Sequence, residues 1–259
     1  MPQLLIFCEA RADFETVAGL VDRVLREEAP SWITDLLDGP EEGAATVRSW
    51  VSGPGGQPFF DLHHVKDYAR QLGVRVPYGH FDGSPGASGA LMARNVFLVA
   101  REIARRSLPV DAVLLVWDMD DQGDARRQGL AQARNEAVCW AGFAIILGCP
   151  ERMREAWVLA GFYPEIESEQ TTLDAERQSL GFCPCAKAHC LDAKDEQAKR
   201  NPKRVLAALT GGDRDPEARC WTAASLPVRR ARGEGSGLHA FLDEVAQTLI
   251  PLLTRASDA

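Results

Sequence analysis

The sequence predicts an α/β protein built on an open, mainly parallel sheet flanked by helices, with a loop-rich C-terminal extension. Three observations predict it. Short apolar runs rich in β-favouring residues, at 4–8, 113–116 and 143–147, alternate with stretches of helical periodicity, the order of a parallel sheet with crossover helices. These runs are apolar at consecutive positions, not at every second one, so they read as strands covered on both faces. A chain of 259 residues, 46% of them hydrophobic, can fill one large α/β domain or one domain with a smaller appendage. The divisions read as an α/β domain over 1–180, a Cys-rich and basic irregular extension over 181–237, and a C-terminal helix packing on the core over 238–259.

The first strand, 4–8, runs into Glu9 and then a helix over 13–28, whose Phe14, Val17, Leu20, Val21, Val24 and Leu25 recur at helical spacing. Glu9 thus falls at a strand-to-helix turn, where sites assemble in open α/β sheets. Asp13 falls where a carboxylate caps free amides, and capping is its expected role. Residues 38–60 are rich in glycine and proline and read as loop with a short helix around 45–51; another helix lies within 59–72. His63 and His64 are adjacent there, so on a helix at most one faces a given site, and both read as surface or hydrogen-bonded histidines before ligands. The glycine-rich segment 79–89 leads into a helix over 91–106. Such a loop can cradle a phosphate through backbone amides, but no Gly-Lys-Ser/Thr follows, and it reads first as a flexible connector.

The strand at 113–116 stops on Trp117, Asp118, Met119, Asp120 and Asp121. A polar helix over 124–140, a buried strand at 143–147 and a helix within 150–161 that carries Glu155 come next. An acidic stretch, 165–180, precedes a cysteine cluster. Pro202 then occupies a tolerated first-turn position of a helix over 202–209, residues 211–237 read as irregular, and the last helix, 238–253, carries Phe241, Leu242, Val245, Leu249 and Leu252 on one side. There is no internal repeat.

The formal charge of −8 argues against a general nucleic-acid coat, which relies on many Lys and Arg to neutralise phosphates. It leaves a nuclease open, because bound metal cancels part of the charge and the basic residues are bunched: Lys194, Lys199, Arg200, Lys203 and Arg204 form one group, and Arg229, Arg230 and Arg232 another. The plain alternative is a solvated helix face. No apolar run approaches the roughly 20 residues that span a bilayer, and the N-terminus lacks a charged leader, so no membrane partner is expected and the cytoplasm is the expected compartment. The seven cysteines then read as reduced. Cys8, Cys139 and Cys149 read as core residues. Cys183, Cys185, His189 and Cys190, with Cys220, would supply a structural zinc site; the alternative is a thiol-rich loop.

Asp118 and Asp120 are two apart, so in extended backbone they point to one side and Asp121 to the other. Two carboxylates held together repel unless a proton or cation intervenes. Glu9 is the natural third carboxylate, and Glu155 a candidate fourth. The set resembles the TOPRIM domain, the metal-binding unit of topoisomerases, bacterial primases and overcoming-lysogenisation-defect nucleases, whose pattern is a Glu after the first strand and an Asp-x-Asp pair after a later one. Phe7 to Asp13 is similar to the family's Glu-Gly-x-x-Asp start, with Ala10 in place of the glycine. The run Glu155-Ala-Trp-Val-Leu-Ala160 resembles a Glu-Ala-Trp-Leu-Leu-Ala stretch of uncharacterised bacterial TOPRIM-like proteins, and Asn201-Pro202-Lys203 a Pro-Lys step there.

The resemblance spans roughly residues 4–206. It implies a Rossmann-like sheet and hydrolysis of phosphodiester bonds in DNA or RNA, with Mg²⁺ or Mn²⁺ on Glu9, Asp118, Asp120 and Glu155. Lys203 would offset transition-state charge, and a partner protein from a defence or repair system is implied. Two alternatives stand. In haloacid-dehalogenase-like phosphatases Asp118 would be a nucleophile, but Gln122 occupies the position where that family has Thr or Val. A non-catalytic regulatory subunit on the same fold is the other.

Overall fold

The computed structural model of the protein describes residues 2–75, 78–107 and 109–255. The sheet is built from β1 (Gln3–Cys8), β2 (Ser49–Trp50), β3 (Phe60–Asp61), β6 (Ala112–Val116) and β7 (Ala144–Gly148), and every pairing in it is parallel. Strand β1 is its pivot. β2 pairs with the start of β1 and β3 with its end, both on one edge, while β6 lies on the other edge with β7 beyond it. The chain therefore leaves β1 toward one side of the sheet and returns on the opposite side, which makes the gap between the carboxyl ends of β1 and β6 a topological switch point.

Period-two alternation divides the sheet residues between two cores. Leu4, Ile6, Cys8, Ala112, Leu114 and Val116 face one core; Leu5, Phe7, Val113 and Leu115 face the other. All ten are 3% exposed or less, which is why the runs carry no polar position. The first core is covered by α1 (Arg11–Glu28) and by helices from the second half of the chain; α2 (Ser31–Leu37) and α3 (Glu41–Val47) follow α1. The second core is covered by α4 (Val65–Gln71), α5 (Ala90–Arg106) and α6 (Gly123–Ala137). Between α4 and α5 lies a two-stranded antiparallel hairpin, β4 (His80–Phe81) with β5 (Ser84–Pro85). After β7 come α7 (Glu155–Gly161), α8 (Glu167–Leu180), α9 (Pro202–Thr210), α10 (Arg214–Thr222), α11 (Leu226–Gly233) and α12 (Leu238–Arg255).

The expected architecture is present, and four local expectations are corrected. Residues 211–237 are mainly helical. The Gly-Gly-Asp break ends α9 and starts α10, and Pro227 lies in the first turn of α11, so the signals that look like irregular chain are helix boundaries. The short helix near 45–51 is shifted to 41–47, and Ser49–Trp50 is extended because it pairs with β1. Cys139 is exposed, not core, since it lies beyond the end of α6. The glycine-rich segment is a pinned hairpin, not a loose connector. The buried Arg94 of α5 donates to the carbonyls of Tyr78 and His80 at 2.5 and 2.6 Å, pairs with Glu136 at 2.6 Å, and lies 3.5 Å from the Phe81 ring centroid.

The C-terminal helix packs on the core as its apolar face predicts. Phe241, Leu242, Val245, Leu249 and Leu253 join the first core, and Phe241 stacks on Trp157 at 4.8 Å; Leu252 packs against this core only partly buried. Positions 256–259 of the expected C-terminal segment lie outside the described residues. Among the described residues no helix is long and apolar enough to cross a membrane.

Candidate metal centre

Register brings the two acidic segments together. Phe7 of β1 stands beside Leu115 of β6, so each strand reaches its acidic end, Glu9 and Asp118, at neighbouring points of the switch-point crevice. The segment after β6 stays bonded to the chain after β7: the N–H groups of Trp117, Met119 and Asp120 donate to the carbonyls of Gly148, Pro150 and Arg152 at 3.0, 3.0 and 3.1 Å. Helix α1 begins at once after Glu9, and Asp13 accepts from the Ala10 N–H at 2.8 Å, the capping role its position predicts. Helix α7 begins at Glu155.

The alternation expected for Asp118 and Asp120 breaks at Asp120, which has φ 46°. Asp118 is half-buried and turned among other carboxyl groups, Asp120 is exposed, and Asp121 is drawn off by Arg152 at 3.0 Å and by Lys194. Asp120 nevertheless stays electrostatically coupled to Glu9 and Asp118. Burial first, and then the charges of Asp13, Glu155, Glu9 and Asp120, push the Asp118 carboxyl up to about 9. No donor among the described residues reaches that carboxyl group. Glu9 is also raised, by burial, Asp120 and Asp13, against the lowering effect of His63 and Arg126. Asp13 is raised by burial, opposed by Arg154 and by the Ala10 amide.

The cations stand around this ring of acids, not inside it. Arg126, in the first turn of α6, bonds Asp120 at 2.9 Å and the Asp118 carbonyl, while its guanidinium lies 4.4 Å from the Trp117 ring centroid. Arg154 holds the far side, reaching Glu217 at 2.6 Å, Thr16 at 2.9 Å, Glu155 at 3.4 Å and Asp13 at 3.6 Å. His63 stands 4.0 Å from Glu9, so one histidine of the pair faces the site while His64 turns to Asp61 at 3.0 Å. Lys203 lies exposed in the first turn of α9 and makes none of these contacts.

A polar cleft of about 430 Å³ adjoins the acids, walled by Asp120, Asp121, Arg126, Arg152, Asp192 and Lys194. Its floor holds two non-glycine residues in the left-handed region, Asp120 and Arg152 (φ 67°), bonded to each other through their backbones. Such conformations cost roughly 1–3 kcal/mol each and collect at functional sites. Compared with known proteins, the chain matches no family model, no curated protein and no solved structure.

The donors facing one another here are carboxylate oxygens, the chemistry that suits Mg²⁺ or Mn²⁺ over softer metals. The ring is open as it stands. Among the described residues no three Asp, Glu, His or Cys side chains are gathered closely enough to form a ligand set. The same holds for the cysteine cluster. Cys183 and Cys185 share a hydrogen bond that brings the Cys183 thiol down to about 5, Cys185 is buried, and His189 is exposed with its ring against Gly235. The second basic bunch is likewise built into the fold: Arg229 is buried, and Arg230 pairs with Glu28 and Asp243.

Arg126, Arg152 and Arg154 were not among the residues expected from the sequence, and Asp13 was expected only as a cap. Arg126 carried a signal, an arginine in the first helical turn after an acidic strand end. Arg152 and Arg154 carried none, because only the pairing of 117–120 with 148–152 puts them there.

Proposed function

We propose that the chain is a Mg²⁺- or Mn²⁺-dependent nuclease hydrolysing phosphodiester bonds in nucleic acid, with Glu9, Asp118 and Asp120 as principal ligands and Asp13 and Glu155 around them. The observation that carries it is Asp118: half-buried at a switch point, near four other carboxyl groups and, among the described residues, bonded by no donor, it is a group whose charge a cation would stabilise. When bound, the metal polarises a phosphoryl oxygen and lowers the proton affinity of an attacking water. The chain's own contribution is position and charge. Arg126 fixes Asp120 and the Asp118 backbone, and Arg152 and Lys194, both paired with Asp121, line the adjoining cleft where they would contact phosphates; neither takes over the offset of transition-state charge expected of Lys203.

The test is cleavage of single-stranded and duplex DNA and RNA with Mg²⁺, Mn²⁺ and chelator. Glu9→Ala and Asp118→Asn proteins that remain folded are expected to lose about 100-fold or more of the rate and their metal binding by calorimetry. Cleavage that survives chelation, or both substitutions, would overturn the reading. A second reading, a non-catalytic subunit, is favoured by one observation, the open ring with Asp120 already neutralised by Arg126. It predicts no cleavage under any metal, even where Mg²⁺ or Mn²⁺ stabilises the fold. A phosphorylated Asp118 after incubation with a phosphate ester would point to the phosphatase.

A further inference from the structure

A second cavity, of about 410 Å³, has Trp117 in its lining and falls within the range of roughly 300–1,000 Å³ typical of small-molecule sites. One wall is the pinned glycine hairpin, contributing backbone at Gly79 and Gly86. The first turn of α5 contributes Leu91 and Met92, and Trp117, next in sequence to Asp118, completes the lining. Lys66 stands exposed at the rim. At the floor is Asn95, 3% exposed, whose side-chain oxygen Oδ1 has no hydrogen-bond partner among the described residues. A buried amide oxygen left unpaired costs about 1–3 kcal/mol, and a turn of the Asn95 side chain toward the cavity would let an entering donor group recover that cost.

The walls are held rigidly. Gly129 of α6 approaches so closely that a Cβ there would lie 2.0 Å from the Ser88 carbonyl oxygen, and the Ala87 N–H donates to Gln132 at 2.8 Å. Gly89, at φ 79°, lets the start of α5 sit against the indole, where a Cβ would lie 3.1 Å from a ring carbon of Trp117. The cavity is thus preformed, and it offers an aromatic surface, apolar sides and one amide that pairs with polar ring edges. Its mouth offers a lysine and the positive end of a 17-residue helix.

We propose that this cavity is a nucleobase subsite: a base stacks on Trp117 between Leu91, Met92 and the glycine wall, and Asn95 bonds its polar edge. Stacking on an aromatic side chain contributes roughly 1–3 kcal/mol per base, and a bidentate amide reads one base edge over others. The choice of a base over another flat ring rests on the reading of the neighbouring carboxylates as a site acting on nucleic acid. The base belongs either to a free nucleotide or to a residue within a strand.

The experiment is calorimetric binding by the full chain, with and without Mg²⁺, of the four nucleoside monophosphates, of short oligonucleotides, and of ribose 5-phosphate, which has no base. Nucleotide or oligonucleotide is expected to bind at least 10-fold more tightly than ribose 5-phosphate. Asn95→Leu, near in shape and free of the unpaired oxygen, is expected to keep its fold and weaken binding at least 10-fold, and Met92→Trp to weaken it by filling the space. Equal binding of monophosphates and oligonucleotides identifies a free nucleotide; binding of oligonucleotides alone, still lowered by Asn95→Leu, identifies a strand. Equal affinity for ribose 5-phosphate, or affinity unchanged in both variants, overturns the subsite. Base binding without cleavage under any metal upholds the subsite and ends the nuclease reading. Metal-dependent cleavage whose rate, KM and base preference ignore both variants does the reverse.

Discussion

At the scale of single residues, Asp118 links stability to chemistry. Its carboxyl group titrates near 3.8 in an unfolded chain and is pushed up to about 9 in the fold. Between those values the native protein holds a proton that the unfolded chain releases, so metal-free stability falls as pH rises through this window. Asp118→Asn is therefore expected to flatten the decline and to make the metal-free protein more stable by about 1–2 kcal/mol at pH 8. If Mg²⁺ binds these carboxylates as proposed, the same variant is expected to lose the stabilisation that added Mg²⁺ gives the native chain. Denaturant titrations at pH 5, 7 and 8, with and without Mg²⁺, measure both. A native chain that gains stability from pH 5 to 8 without metal, or an Asp118→Asn protein as stable as the native chain at every pH, would count against it.

Cys183 offers a second residue-scale expectation. A thiol brought down to about 5 is thiolate at neutral pH, so Cys183 should label with iodoacetamide ahead of the exposed Cys139, at a rate flat from pH 8 down to about pH 6. Cys185→Ala removes the hydrogen bond and should return that rate profile to the ordinary thiol range. Mass-spectrometric site occupancy over time checks this, and equal labelling of Cys139 and Cys183 at pH 6 would contradict it.

At the scale of elements, the hairpin β4–β5 depends on Arg94. Its guanidinium is 2% exposed and satisfies two hairpin carbonyls and Glu136 at once. Arg94→Met leaves those groups without their donor, and breaking a buried pair in this way costs about 3–5 kcal/mol. Chemical denaturation is expected to show that loss, and hydrogen exchange to show faster opening confined first to 78–89. An exchange pattern unchanged in the hairpin would mean that Gly129 and Gln132 hold it alone. Helix α7 shows the same dependence on contact. It is only seven residues long, and Trp157 anchors it by donating to the Ser236 carbonyl at 2.8 Å and by stacking on Phe241. That anchor sets where Glu155 and the neighbouring Arg154 face the acids.

At the scale of the whole molecule, the second half of the chain is part of the core beneath the site. Residues of β1, α1, α7, α9, α10, α11 and α12 form one contiguous apolar cluster. Phe241→Ala is accordingly expected to cost about 3–5 kcal/mol, and a chain cut after residue 237 to lose cooperative unfolding, both read by thermal and denaturant melts followed by circular dichroism. A sharp transition in the shortened chain would show that the first 237 residues close their own core.

The linear pattern of residues was enough to define three of the five strands, β1, β6 and β7, and the carboxylates that end β1 and β6; β2 and β3, two residues each, lie in segments that read as loop and helix and are extended only through pairing with β1. Short runs of β-favouring residues with no polar position fit strands covered on both faces, as β1 and β6 are, and the acidic residues at their ends are then carried to the edge of the sheet. The capping place of Asp13 and the apolar face of α12 were legible for the same reason, since each depends on neighbours within one or two turns. Which charges meet was settled by packing in three dimensions. Parallel register set Glu9 beside Asp118, the pairing of 117–120 with 148–152 carried Arg152 and Arg154 to the acids, and the left-handed turn at Asp120 redirected a side chain that alternation would have placed otherwise. The close approach of α6 to the glycine segment turned an apparent connector into a cavity wall. These are contacts between residues tens of positions apart, and their geometry comes from packing, which no local spacing encodes.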